Sequence, residues 1–389
     1  MKILFYADTV FSFGGVQRVL AVLAKTLSKS HDVTILTTDN AADCKLYDYQ
    51  LTTIKFQHIA YTHPHDAEYY LCKLCSMAYK NLLPHNRFTA KLYAYSFFFP
   101  SYKRLLSMQI NAGSYDVVIG VHAFLSLHLA SVRSRLNAPM VIGWMHNSYD
   151  ALFEKQRPYL PGLKSFFGHQ MKQLDRVVVL SRHDAALFNK QLGLQCQAIY
   201  NPLTLVPQGR ASIMHKKFLA VGRFTPLHKG FDILIKAFAL FAKTNDDWLL
   251  EIVGEGEEES LYRNLISQER LEHRVKICPF TPNIQRHYSN ASVFVLSSRW
   301  EGQPLVLLEA MSHGLPVISS DIPIARELLG GNGASLLFRT GDVADLATAM
   351  TGMATSSSWT EMSQKALSFY RDFDVDGASR KWNGIFVRK

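Results

Sequence analysis

A chain of 389 residues with 48% apolar and 19% charged side chains has room for two domains and ample material for real cores, which excludes global disorder. No run approaches the ~18–20 apolar residues of a membrane-spanning helix, the start meets Asp8 too soon for a secretory signal, and five cysteines suit a reducing compartment better than a disulfide scaffold. The net charge of +10 sits almost wholly in residues 1–200, where 21 Lys and Arg face 12 Asp and Glu. An anionic partner is therefore expected for the first half. With no recognisable nucleic-acid module, an anionic membrane surface is favoured over nucleic acid.

In chain order, short apolar runs alternate with helical patterns, the signature of a parallel sheet with crossover helices. Strands are expected at residues 2–6, 32–37, 116–120, 140–144 and 176–180, with a helix at 16–28 whose Val19, Leu20, Leu23, Ala24 and Leu27 recur at helical spacing. Residues 68–110 break the rhythm: they hold six basic residues, Lys103 among them, against the single acid Glu68, interleaved with Tyr69, Tyr70, Tyr93, Tyr95, Phe97, Phe98, Phe99 and Tyr102. Such a segment either lies on anionic headgroups or packs its aromatics inward beneath ordinary surface lysines. Asn201-Pro202 and the small polar residues to 213 read as a linker. Strands are expected again at 218–221, 248–253, 275–278, 293–296, 316–319 and 335–338, and helices at 231–244, 260–270, 284–289 and 304–313. The fold class is α/β: an N-terminal Rossmann-like domain at 1–198 and a second at 199–367, facing each other across a cleft, with the tail 368–389 packing back on the first.

The stretch from Ser297 to Ser319 is the most informative. A buried strand ends in a polar loop carrying Glu301; Pro304 is suited to the first position of a helix that Gly314 ends, with Glu309 in its second turn. The amides of Leu305 and Val306 are donors at a positive helix end. Glu301 and Glu309, with Gly302 and Pro304 between them and the Gly-Leu-Pro-Val-Ile exit, resemble the Glu-x7-Glu loop of glycosyltransferase family 4, retaining enzymes of the GT-B fold. Residues 221–231, Val-Gly-Arg-Phe-Thr-Pro-Leu-His-Lys-Gly-Phe, are similar to the family segment whose arginine and lysine bind the donor diphosphate. The resemblance casts Arg223 and Lys229 in those roles, a bidentate fork and a point charge. Phe13-Gly14-Gly15-Val16-Gln17 resembles the family's Gly-Gly loop, with Gln17 where glutamate is common.

The resemblance also implies a cleft histidine, which His146 after Trp144 matches and for which His122 competes, and an asparagine near the cleft, matched by Asn201. Phe280 is expected against the nucleotide base. The activity implied by the resemblance is transfer of a sugar, with retention, from a nucleotide-sugar (UDP before GDP) to a hydroxyl of a lipid-linked or oligosaccharide acceptor in surface-polysaccharide assembly. No metal ligand set and no cofactor are expected, and the place is the cytoplasm, peripherally at the inner face of the membrane. Two rival functions share these residues: a nucleotide-sugar epimerase of the same fold, and a non-catalytic glycan-binding protein. Cys72-x-x-Cys75 and Asp374-Val-Asp376 are not read as metal motifs.

Overall fold

The computed structural model describes residues 1–12, 14–39, 53–61 and 65–387, with backbone alone at Arg87, Lys91 and Leu92. Two compact units result, one of Met1–Pro202 with Val375–Lys389, the other of Leu203–Asp374.

The first unit is built on a seven-stranded parallel sheet of β1 (Lys2–Ala7), β2 (Asp32–Thr37), β3 (Lys55–His58), β4 (Val117–Val121), β5 (Met140–Trp144), β6 (Arg176–Val179) and β7 (Gln197–Ala198), in the order 3-2-1-4-5-6-7. The second carries six parallel strands, β8 (Lys217–Val221), β9 (Leu249–Val253), β10 (Val275–Cys278), β11 (Val293–Leu296), β12 (Val317–Ser320) and β13 (Ser335–Phe338), in the order 10-9-8-11-12-13. β4, β5 and β11 are buried along their whole length, as expected for strands covered by helices on both faces. The strand order reverses between β1 and β4 and again between β8 and β11. Crevices outside the carboxyl ends of the strands open at such switch points, and ligands of doubly wound sheets bind there.

The terminal helix Val375–Phe386 packs in the first unit. Trp382 meets Trp144 edge to face at 4.9 Å, and Asn383 hydrogen-bonds His31 Nε2 at 2.8 Å. The Asp-Val-Asp motif is split by the unit boundary, Asp374 ending one unit and Asp376 lying in the first turn of this helix.

The aromatic–basic segment forms the helices Ala67–Asn81, Arg87–Ser96 and Pro100–Ala112, and most of its aromatics turn inward. Tyr93, Phe97 and Tyr102 join the main core, while Phe98 and Phe99 are half-buried against it. Lys103 corrects the reading of a surface lysine. It is 5% exposed, and its ammonium donates to the Ala94 and Tyr95 carbonyls at 2.6 and 2.9 Å.

Burial, with a smaller contribution from Arg135, lowers the Lys103 pKa to about 8. The unfolded chain, with an ordinary lysine near 10.4, binds more protons above pH 8. Wild type should therefore gain stability relative to Lys103→Met as pH rises from about 8 to about 10, measured by urea denaturation. A pH-independent difference would show that the ammonium is solvated.

Candidate functional site

Of the sequence-derived residues of the second unit, those after β8 and β11 stand at the switch point, while Phe280 follows the edge strand β10. Arg223 and Lys229 lie in the loop after β8, and Glu301 in the loop after β11. The two loops are fitted by a glycine: Gly230 has φ +66°, and a Cβ there would stand 2.2 Å from the Ser297 carbonyl oxygen. That approach lets Ser297 Oγ donate to the Lys229 carbonyl at 2.8 Å and brings Lys229 Nζ to 2.6 Å from Glu301 Oε1.

Glu301 is buried, which by itself would raise its pKa. The positive charge of Lys229 and hydrogen bonds from Lys229 and Ser298 outweigh burial and hold it below the ordinary glutamate value. The carboxylate is therefore ionised at neutral pH.

His228 and Ser298 complete this cluster, and sequence reasoning did not single out either. Ser298 Oγ donates to Glu301 Oε1 at 2.7 Å. His228 stacks on Trp300 with rings 4.9 Å apart, and its Nε2–H donates to the Trp300 carbonyl at 2.9 Å. Burial lowers its pKa more than Glu301 raises it, so the imidazole stays neutral. Arg299 forms a two-point bridge to Asp232 that ties the β11 loop to the helix Phe231–Ala242.

The helix expected from Pro304 runs from Leu305 to Ser312, and Pro304, with φ −75° and ψ 99°, is its N-cap rather than its first residue. The correction leaves Leu305 and Val306 in the first turn. Glu309 points inward, 1% exposed, and Tyr288 from the helix Gln285–Ser289 donates its hydroxyl to Glu309 Oε2 at 2.8 Å. His313 Nδ1 donates to the Glu309 carbonyl at 2.8 Å, since that oxygen can only accept, and its ring stands 5.2 Å from Tyr288. Neither Tyr288 nor His313 carries a local sequence signal. Phe280 follows β10 and is partly exposed.

The first-unit candidates cluster separately. Gly14 caps the helix Gly15–Leu27 in extended backbone (φ −174°), so its conformation does not itself demand glycine. The preceding loop is held by Asp39, which accepts from the Val10 and Phe11 amides, and Gln17 donates to Thr9 Oγ1 at 2.9 Å. Phe13 lies outside the described residues.

His122 sits just past β4 with φ +69°, a conformation costly for a non-glycine residue and found mainly at functional positions. His146 lies just past β5, its ring 4.3 Å from Trp144, and its Nε2 is buried with no hydrogen-bond partner among the described residues. Burial, with the nearby His122, pushes the His146 pKa well below the ordinary histidine value. Trp144, packed beside this ring, is itself held by Trp382 of the terminal helix. Asn201 is buried at the end of the first unit.

Comparison with known proteins decides the family. Residues 13–205 match the model of Glycosyltransferase Family 4, and residues 208–366 that of Glycosyl transferases group 1. The chain belongs to the family 4 glycosyltransferases. An uncharacterized glycosyltransferase of Haemophilus influenzae is 30% identical over 215 residues, a segment covering 54% of this chain and 61% of that protein. The amylovoran biosynthesis glycosyltransferase AmsD of Erwinia amylovora is 27% identical over 224 residues, 54% of this chain and 62% of the relative. The matches thus span about three fifths of these relatives.

Among solved structures, Anabaena HepE in complex with UDP superposes with a TM-score of 0.73 at 18% identity, covering 99% of both chains. TarM of S. aureus gives 0.75 at 14% identity over 100% of both. These likenesses establish the GT-B fold for this family 4 chain.

Proposed function

We propose that the chain transfers a sugar, with retention of anomeric configuration, from a nucleotide-sugar to a hydroxyl of a glycan or lipid-linked acceptor. The observation that carries this reading is the largely buried Lys229–Glu301 pair at the β8/β11 switch point, with Glu309 held in the second turn of the helix that follows. An ionised carboxylate and an ammonium brought together at such cost suit a ligand with hydroxyls and a charged leaving group.

In this reading Arg223, Lys229 and the first-turn amides at Leu305 and Val306 take the developing charge of the diphosphate. Lys229 has three donors and can serve the phosphate while keeping Glu301. Glu301 binds hydroxyls of the transferred sugar and supports positive charge at its ring. Glu309 accepts from the ribose hydroxyls. His146, kept neutral by burial, offers a hydrogen-bonding nitrogen beside the sugar, Gly14 and Gly15 let backbone amides approach the donor diphosphate, and Gln17, His122 and Asn201 serve the acceptor side. Because the cations of the chain itself meet the diphosphate, transfer proceeds without a metal there.

UDP is favoured as the nucleotide. The HepE structures hold UDP or UDP-glucose, and one TarM structure holds UDP. Calorimetric titration should show UDP binding that survives EDTA, exceeds GDP binding and is lost in Glu309→Ala. Binding of neither nucleotide would end the transferase reading; tighter GDP would redirect it to GDP-sugars.

An anionic membrane surface is the proposed location of the acceptor, on grounds revised by the structure. No described helix is long and apolar enough to cross a membrane. The exposed apolar residues of the segment include Tyr70, Leu71, Leu74 (64%) and Met77 (62%) along one helix, followed by Leu82 (82%) and Phe88 (80%), with exposed Lys73 and Lys80 on the same helix as the stripe. Such a stripe fits the headgroup–acyl boundary of an anionic bilayer. Leu74→Glu with Met77→Glu should abolish flotation with anionic vesicles. Retained flotation would reject this face. The Lys91 side chain lies outside the described residues.

A further inference from the structure

β9, β10 and the helix Gln285–Ser289 bring three side chains of different chemistry to one place that glycosyl transfer does not use. Glu251 and Cys278 are buried and His287 is half-buried, and one ligand atom from each lies within 4.8 Å of the other two. This is the one such grouping among the described residues. The strand register produces it. Glu251 pairs with Lys276 across the ladder, so Glu251 and Cys278 share a face two positions apart, and His287 reaches them from the helix after β10.

The trio is already drawn together, with His287 Nδ1 at 2.6 Å from Glu251 Oε1. Lys217 Nζ stands 3.4 Å from the other oxygen, Oε2. Tetrahedral ligands at zinc distances lie about 3.3–3.6 Å apart, so a shift of about an ångström would seat an ion.

We propose that Glu251 Oε1, Cys278 Sγ and His287 Nδ1 bind a divalent ion of the zinc type, with solvent in the fourth position. The donor set selects this class. A thiolate and an imidazole disfavour magnesium and calcium, which take all-oxygen shells. Binding replaces protons by the metal: the Cys278 thiol gives up its proton to solvent, His287 Nδ1 gives up the proton it donates to Glu251 so that the neutral ring keeps its proton on Nε2, and that hydrogen bond gives way to two metal–ligand bonds. Lys217 remains on Oε2 and offsets part of the added negative charge.

Cys278 and His287 bracket the loop that carries Phe280, and His287 adjoins Tyr288, the donor to Glu309. A bound ion would staple that loop at both ends.

The test uses the full, metal-free chain and Co(II). One equivalent should bind with the visible bands of a tetrahedral site and a near-ultraviolet thiolate charge-transfer band, both bleached by excess Zn(II). Cys278→Ser should lose the charge-transfer band, and His287→Gln should weaken binding about tenfold or more. In the wild type, which needs no variant to fold, Zn(II) should protect Cys278 from a thiol reagent, as mapped by mass spectrometry under mild denaturant. A wild type without the band, a band that survives Cys278→Ser, or labelling of Cys278 unchanged by Zn(II) would each overturn the proposal and leave a simple ion pair of Lys217, Glu251 and His287.

Discussion

Lys229→Met is expected to lower kcat/KM by about 10²–10³-fold, the usual loss when one charge-stabilising donor is taken from a transition state. The same change should destabilise the second unit by about 3–5 kcal/mol, because it strands an ionised carboxylate in a buried place. The pH dependence has a definite sign. Glu301 in the wild type has a pKa below its unfolded value, so its contribution to stability is complete above the ordinary glutamate range and disappears as pH falls through the folded value. Without Lys229, burial is opposed chiefly by the Ser298 hydrogen bond, and the midpoint of acid unfolding should move upward.

The double variant Lys229→Met with Glu301→Gln separates stability from catalysis. It removes the stranded charge and should regain most of the lost stability while remaining inactive. A Lys229→Met enzyme with near wild-type turnover would reduce Lys229 to a structural counter-ion. The decisive comparison is kcat/KM against urea-midpoint stability across the three proteins.

The two clusters differ in how far sequence could reach them. Arg223, Lys229 and Glu301 are legible through the stretches that resemble family 4 motifs, and the structure adds that their loops touch at Gly230. Strands 32–37, 140–144 and 293–296 match the observed bounds because they are buried and apolar along almost their whole length, and 275–278 and 335–338 match as well although they are the edge strands of the second sheet. β3 and β7 escape a sequence reading for the converse reason: Lys-Phe-Gln-His and Gln-Ala form the two edge strands of their sheet and carry little apolar signal. Lys103 is misplaced by sequence because composition reports charge but not burial, and two helix-end carbonyls can hold an ammonium inside. Ser298 and His228 are close in sequence to Glu301 and Lys229, yet their roles depend on loops that meet only in the folded unit. Tyr288 is 21 positions from Glu309, beyond any helical or strand period.

Tyr288→Phe tests that last contact. The hydroxyl is a neutral donor to a carboxylate inside the unit, a bond of the kind worth about 1.5–3 kcal/mol. If Glu309 holds the ribose, its aim matters equally in the ground and transition states, so the variant should raise donor KM about 10–100-fold and leave kcat nearly unchanged. The benzene ring of phenylalanine preserves the packing against Phe294 and His313, which limits the change in stability to the bond itself. A purely architectural tyrosine would behave differently: the melting temperature would fall while donor KM stayed in place. Glu309→Gln supplies the complementary arm, because the neutral amide still accepts from Tyr288 but binds ribose hydroxyls more weakly. Adding Tyr288→Phe to Glu309→Gln should then cost far less in KM than it costs the wild type, and a fully additive pair would show that the two residues act independently.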